Sequence, residues 1–238
     1  MSFNCPLSKS KAAELIGLLD LPPDSRVIDV GCGSGEFLIG VVEQYAVRGV
    51  GVDITTTTLE EARSLAATRV PDSQMEFLEV DIRTLDAAPD SYDCGICMGS
   101  THAYSLGEAA YPEALRGLSR IVRPGGKLLI GEGYWMQPPP REYLDFIGEP
   151  VGVYRTHLEN VELAKEFGLI PQYAVTSNLD EWDDFEWRHN IRKEKTAAAN
   201  PDDPETTKML TRSREWRAAY LRWGRGTMGF AFYLFERP

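Results

Sequence analysis

The chain has 238 residues, enough for one large domain or a small domain with an elaboration. With 43% hydrophobic and 26% charged residues it belongs among chains that fold around a core, not among disordered or coiled-coil ones. Twenty-five basic against thirty-six acidic residues leave a formal net charge of −11, a field that repels phosphate backbones and offers nucleic acid or anionic lipid no counterion-release affinity.

In chain order, residues 8–19 carry an apolar helical stripe that stops at Leu21-Pro22-Pro23-Asp24. A regular alternation follows. Residues 26–30 read as a short apolar strand, 36–46 as a helix, 49–54 as a strand, 59–69 as a helix ending before Pro71, and 75–80 as a third strand. Residues 92–98 form a buried strand. Tyr111, Leu115, Leu118 and Val122 mark one helix face, Arg123-Pro124-Gly125-Gly126 a turn, and 127–131 a fifth strand. Strands alternating with helices at this spacing predict βαβ units with right-handed crossovers: a doubly wound α/β fold whose ligands sit at the carboxyl ends of its strands.

The second half changes character. Pro138-Pro139-Pro140 reads as a stiff spacer, and Thr156-His157-Leu158-Glu159 as a capping box opening a helix that ends at Gly168. A sixth strand is expected at 172–177. Two further helices follow, at 180–199 and from the cap Asp203-Pro204-Glu205, the latter with an apolar stripe of Met209, Trp216, Tyr220 and Trp223. Gly224, Gly226 and Gly229 end it before a last strand at 230–236.

No apolar run approaches the ~18 residues of a membrane span. The opening MSFNCPLSKSKAAELIG lacks the order of a signal peptide, so a cytoplasmic location is expected. Cys94 and Cys97 have redox-pair spacing, yet they sit in an alternating apolar strand and no second pair completes a metal site. Glu186-x-x-His189 is half of a di-iron pattern without its second copy, so no metal is expected.

The strongest chemical signal is the run Val27-Ile28-Asp29-Val30-Gly31-Cys32-Gly33-Ser34-Gly35-Glu36-Phe37, a strand entering a glycine turn and then a helix. Counted from Gly31 and Gly33, the dinucleotide pattern G-x-G-x-x-G requires glycine where Glu36 stands, at the helix N-terminus a pyrophosphate would occupy. Asp53 ends the second strand, as a ribose diol requires, and Asp81 beside Ile82 ends the third, suited to an exocyclic amine and an adenine face. One nucleoside without phosphate fits better than a dinucleotide.

These motifs, covering roughly residues 26–132, resemble the class I S-adenosylmethionine-dependent methyltransferases, a Rossmann-like fold of seven mostly parallel strands with the last antiparallel. The resemblance implies that Asp29 and the Gly31, Cys32, Gly33, Gly35 turn hold the methionine end of S-adenosylmethionine, and Asp53 followed by Ile54 the ribose. It further implies that Asp81 and Ile82 border the adenine, with the Met98-Gly99-Ser100 backbone beside the sulfonium. More narrowly, Ile130-Gly131-Glu132-Gly133-Tyr134-Trp135 and an insert holding Glu181-Trp182-Asp183 and Asn200-Pro201-Asp202-Asp203 resemble a group of bacterial small-molecule methyltransferases with a helical insert before the last strand.

On the acceptor side, His102 follows the fourth strand and is expected either to serve as a general base or merely to hydrogen-bond its loop. Tyr104, Glu132, Tyr134, Trp135 and Trp182 are the candidates for the substrate pocket, against the alternative that such aromatics only pack a helix onto the sheet. The organisation expected is a single domain over 1–238, with a cofactor core at 26–135 and two covers over the substrate, residues 1–25 and 180–223. Methyl transfer to carbon, nitrogen or oxygen of a small neutral or cationic acceptor is the function implied. A nicotinamide oxidoreductase on the same fold and a cofactor-binding protein without activity are the rivals, and a methyltransferase of polyamines or other amines, drawn in by the acidic field, is the subclass to weigh beside them.

Overall fold

A computed structural model describes residues 3–238; Met1 and Ser2, part of the expected N-terminal cover, lie outside the described residues. Seven strands form one sheet: β1 (Arg26–Val30), β2 (Arg48–Asp53), β3 (Met75–Glu79), β4 (Tyr92–Met98), β5 (Val122–Trp135), β6 (Ile170–Thr176) and β7 (Met228–Glu236), in the order β3-β2-β1-β4-β5-β7-β6. Only β7 runs against its neighbours, pairing antiparallel with both β5 and β6. The strand order reverses between β1 and β4, which pair Asp29 with Ile96. That reversal opens a crevice above their carboxyl ends.

The strands are apolar on both faces because both are covered. One face packs on α1 (Lys9–Leu19) and α2 (Glu36–Tyr45) through Leu15, Leu19, Leu38 and Val42; the other packs on α4 (Ala110–Ile121) and α6 (His157–Glu166) through Leu115, Leu118 and Ala164. Between β2 and β3 lies α3 (Thr56–Ala66). Cys94 joins the first core and Cys97 the second, as neighbours of opposite parity must. All four cysteines are free, and burial pushes the thiols of Cys5, Cys94 and Cys97 up to about 12. No helix among the described residues is long and apolar enough to cross a membrane.

Local chemistry sets the helix boundaries. At α6 the capping box is present: Thr156 Oγ1 accepts from Glu159 N at 3.2 Å and Glu159 Oε2 from Thr156 N at 2.7 Å. A second box, Asn178 with Glu181, starts α7 (Leu179–Ala199) one residue before the expected start. Asp203 caps α8 (Pro204–Ala219) by accepting from Thr206 N at 3.0 Å.

Three features depart from the sequence reading. The stretch 123–126 does not end the chain's path before β5 but belongs to it. Gly125 N donates to Arg237 O at 2.6 Å and Arg237 N to Gly126 O at 2.9 Å, so β7 draws the turn into the sheet and extends β5 to Trp135. Second, a short helix α5 (Arg141–Ile147) follows the three prolines; Pro140 precedes its first turn and Gly148, at φ 73°, stops it. Third, the buried face of α8 is Thr206, Ser213 and Ala219, whereas Trp216 is 46% exposed. A π-helical turn, Tyr220–Gly224, follows, and within it Tyr220 is buried and Trp223 only partly.

The N-terminal segment is tied to the start of α7. Ser177 Oγ donates to Pro6 O at 2.5 Å, Lys11 Nζ to Thr176 O at 2.7 Å, and Lys11 pairs with the buried Glu181 carboxylate, which also accepts from Ser8 N at 3.1 Å. Burial works to raise the Glu181 carboxyl, but these bonds outweigh it and hold the group below its ordinary value. Residues 3–6 are thereby laid across the carboxyl ends of the central strands.

Candidate active site

The crevice at the strand reversal is a cavity of about 470 Å³, within the range of small-ligand sites. Its floor is the glycine turn. Gly31 has φ +70°, and a Cβ there would stand 2.3 Å from the Ser100 Cβ; Gly33 and Gly35 have φ +53° and +72°. Gly31 N and Cys32 N donate to Val52 O at 2.8 and 3.1 Å, and Ser100 Oγ donates to Val30 O at 2.6 Å, so the ends of β1, β2 and β4 are laced together under the cavity.

Three acids face this space in different states. Asp29, 3% exposed, receives no hydrogen bond from the described residues; burial pushes its carboxyl up to about 7, with the charge of Asp53 adding to the rise. A carboxylate so placed lacks a cation. Asp53 is held by two backbone amides, Gly33 N to Oδ2 and Thr55 N to Oδ1, each at 2.9 Å, and its remaining lone pairs are free to accept from a diol. Asp81 is clasped by the Arg83 side chain and amide, which hold its carboxyl down at about 2. Apolar surface completes the enclosure: Ile82 on one side, with Ile54 at 73% and Leu106 at 78% exposure on the rim. Glu36, at the first turn of α2, is drawn to Arg69 at 2.9 Å.

A second cavity, about 310 Å³, meets the first at Asn4, Cys5 and Gly99. Its walls come from α5 (Tyr143, Phe146), from Tyr154, from α7 (Trp182, Phe185, Glu186), from α8 (Trp216) and from Tyr220, Met228 and Phe230. The insert over residues 180–223 therefore supplies one side, and the N-terminal segment bridges both spaces.

All eleven residues expected around the cofactor except Gly35 line the larger cavity; Gly35 lies just behind it as the N-cap of α2, against the Phe77 ring. His102 lines that cavity too, beside Ala103 and Leu106, and not the second one. Among the five residues expected at the acceptor, only Trp182 lines the second cavity. Tyr104 is turned under α4, its ring against Gly117 and its hydroxyl buried without a partner. Glu132 accepts from Thr101 Oγ1 and from Gly133 N at 2.8 Å, and burial pushes it up to about 7. Tyr134 packs on His157, with ring centroids 5.3 Å apart. The cause is strand parity: Glu132 and Tyr134 share the face of Ile130, which packs on α4 and α6, opposite the insert. Trp135 points toward the insert but stands behind the wall, its Nε1 donating to Val151 O at 2.8 Å and its ring edge-on to Tyr143 and Tyr154.

The sequence reading missed Asn4 and Cys5, Tyr143 and Phe146, Tyr154, Glu186 and Phe230. Pro140 and Gly148 bracket Tyr143 and Phe146 as helix start and stop signals, so α5 was legible. Nothing in the sequence marks Asn4 or Cys5. His189 Nδ1 lies 3.0 Å from Phe185 O, and no cluster of metal ligands occurs among the described residues.

Residues 27–126 match the family model described as a methyltransferase domain. Escherichia coli K12 YjhP is 26% identical over 96% of this chain and 91% of its own length. An S-adenosyl-L-methionine-dependent Diels-Alderase of Talaromyces variabilis is 33% identical over 53% of this chain, which spans only 44% of that protein's length. A SAM-dependent methyltransferase of Geobacter sulfurreducens, crystallised with S-adenosyl-L-homocysteine, has the same fold: TM-score 0.89 at 24% identity, over 99% of this chain and 94% of that one.

Proposed function

We infer, from a chain that carries a methyltransferase domain over residues 27–126, an enzyme that binds S-adenosylmethionine in the larger cavity and transfers its methyl group to a small molecule in the smaller one. The observation that carries this reading is the junction of the two cavities at Gly99, a nucleoside-type site on one side and an aromatic chamber on the other.

The residues present fit the cofactor. Asp29, an acid lacking a cation, suits the methionine ammonium; Asp53 offers lone pairs to both ribose hydroxyls; Ile54 and Ile82 border the adenine, and Asp81 accepts from its amine. When bound, S-adenosylmethionine supplies a methyl group on positively charged sulfur, and an acceptor lone pair takes the methyl carbon as the carbon–sulfur electron pair stays on sulfur. The chain's part is to hold donor and acceptor in line and to exclude water. Asn4 and Cys5, tied down through Pro6 and the Lys11–Glu181 pair, close the junction, and α7 and α8 cover the acceptor. His102 lines the cofactor cavity and not the acceptor cavity, so we assign it to the wall of the cofactor site. Against a nicotinamide cofactor stands Glu36, which keeps a carboxylate at the helix end a pyrophosphate requires. Four free cysteines suit a reducing compartment, so we place the protein in the cytoplasm.

The test is calorimetric titration with S-adenosylhomocysteine, which retains the ammonium, at several pH values. Folding raises Asp29 from an ordinary 3.8 to about 7, so its ionised form costs the empty protein stability, and the stability present below 3.8 is lost as pH rises through 7. A bound ammonium reverses the preference in favour of the ionised form. Affinity is therefore expected to be greatest near pH 8, to be about tenfold weaker at pH 6, where roughly a tenth of Asp29 is ionised, and to fall again where the ligand's own ammonium loses its proton. A flat profile removes Asp29 from the ammonium site, and no binding at any pH removes the assignment.

A further inference from the structure

The acceptor cavity contains two carboxylates, Glu149 and Glu186, and no lysine, arginine or histidine among its described lining residues. Glu186 is one of two acids of its helix without an ion pair among the described residues, and the other, Asp180, does not line the cavity. Glu181, Asp183, Asp184 and Glu194 are paired with Lys11, Arg225, Arg188 and Arg214. Glu186 makes no ion pair among the described residues; its only hydrogen bonds come from the Trp216 indole, Nε1 donating at 3.1 and 3.3 Å to the two carboxylate oxygens. Burial raises its carboxyl above the ordinary value.

Aromatic surface surrounds it. Trp182 and Tyr220 are stacked with ring centroids 6.3 Å apart, Trp216 lies 6.0 Å from Phe146, and Tyr143 completes the side toward Gly224. An acid without a salt-bridge partner, fixed within a ring of π faces, is complementary to an organic cation. An anionic acceptor would meet two like charges in a space with no positive side chain to offset them.

We propose, resting on the methyltransferase reading, that the acceptor is an amine carried on an aromatic or otherwise apolar body, with its ammonium at Glu186 and its body among the rings of Trp182, Tyr220 and Tyr143. On its far side Glu186 borders an outer groove with Trp216, His189, Lys193 and Arg217, and the Lys193 charge favours its ionised form without pairing with it, so the ammonium is held at the wall between the two spaces. The opposite end of the acceptor meets Gly99, where the methyl group is delivered.

The experiment titrates the S-adenosylhomocysteine-loaded protein with 2-phenylethylamine, 2-phenylethanol and phenylacetate, and repeats the series with Glu186→Gln and Trp216→Phe. The amine is expected to bind at least tenfold tighter than the alcohol, and phenylacetate not to bind. Glu186→Gln removes the preference for the amine while S-adenosylhomocysteine affinity stays as it was. Trp216→Phe, a change at a half-exposed ring, weakens the preference, which keeps the test open should Glu186→Gln fail to fold. Equal binding of amine and alcohol, an undiminished preference in both variants, or no binding of any of the three at millimolar concentration overturns the proposal. Failure of S-adenosylhomocysteine itself to bind is a different result. It refutes the methyltransferase reading, and the same series on the unloaded protein then decides whether the cavity selects amines.

Discussion

Asp53→Ala is expected to weaken S-adenosylhomocysteine binding about 100-fold or more in a calorimetric titration. The carboxylate is the only acidic group at the end of β2 inside the cavity, and two backbone amides fix it at 2.9 Å each so that its remaining lone pairs face the ligand. Two charge-assisted hydrogen bonds to a ribose diol at ~1.5 kcal/mol or more each amount to ~3 kcal/mol, which is somewhat over 100-fold. The substitution also strands the amides of Gly33 and Thr55, which loosens the glycine turn and the start of α3. Asp53→Asn removes the charge and keeps an acceptor for only one of those two amides, its NH2 group facing the other, so a loss smaller than that of Asp53→Ala, roughly tenfold, measures what one acceptor oxygen still supplies. An Asp53→Ala protein with native affinity would mean that the ribose does not sit there.

Gly31→Val is expected to cost about 3 kcal/mol of stability or more and to abolish cofactor binding. At φ +70° a β-branched residue is strained by ~1–3 kcal/mol. Its Cβ would also stand 2.3 Å from that of Ser100, so β1 and β4 must part where Ser100 Oγ ties them at Val30 O. For a chain of this length the midpoint of thermal unfolding should fall on the order of 6–12 °C. Gly33→Ala is the control: nothing lies within 4 Å of a Cβ at that position, so only the backbone strain remains and the fall should be a fraction as large. Equal effects at the two glycines would contradict the role given to the Gly31–Ser100 approach.

The cofactor half of the molecule was readable because its chemistry is local. An apolar strand ending in Asp29 and running into Gly31, Gly33 and Gly35 constrains backbone and ligand together, and the acids closing the next two strands follow from the same architecture. The acceptor half depends on which face of a strand or helix meets which neighbour. Glu132, Tyr134 and Trp135 follow β5 in sequence, yet the antiparallel pairing of β7 carries β5 four residues past its expected end, so they remain strand residues and parity sends Glu132 and Tyr134 to the α4 face. The stripe expected on α8 failed for a similar reason: the buried positions of that helix are Thr206, Ser213 and Ala219, and Trp216, on another face, lines the cavity and donates to Glu186. Asn4 and Cys5 are brought to the junction by bonds from Ser177, Lys11 and Glu181, more than 160 positions away in the chain for Pro6 and Lys11, which no pattern near the N-terminus reveals.

A crystal structure of the protein with S-adenosylhomocysteine bound decides whether the two cavities serve one reaction. The ribose hydroxyls are expected on Asp53, the homocysteine ammonium within reach of Asp29, and the sulfur at Gly99 facing the chamber of Trp182 and Tyr143. Density for the ligand elsewhere, or a sulfur turned away from Gly99 and sealed from that chamber, would contradict this placement.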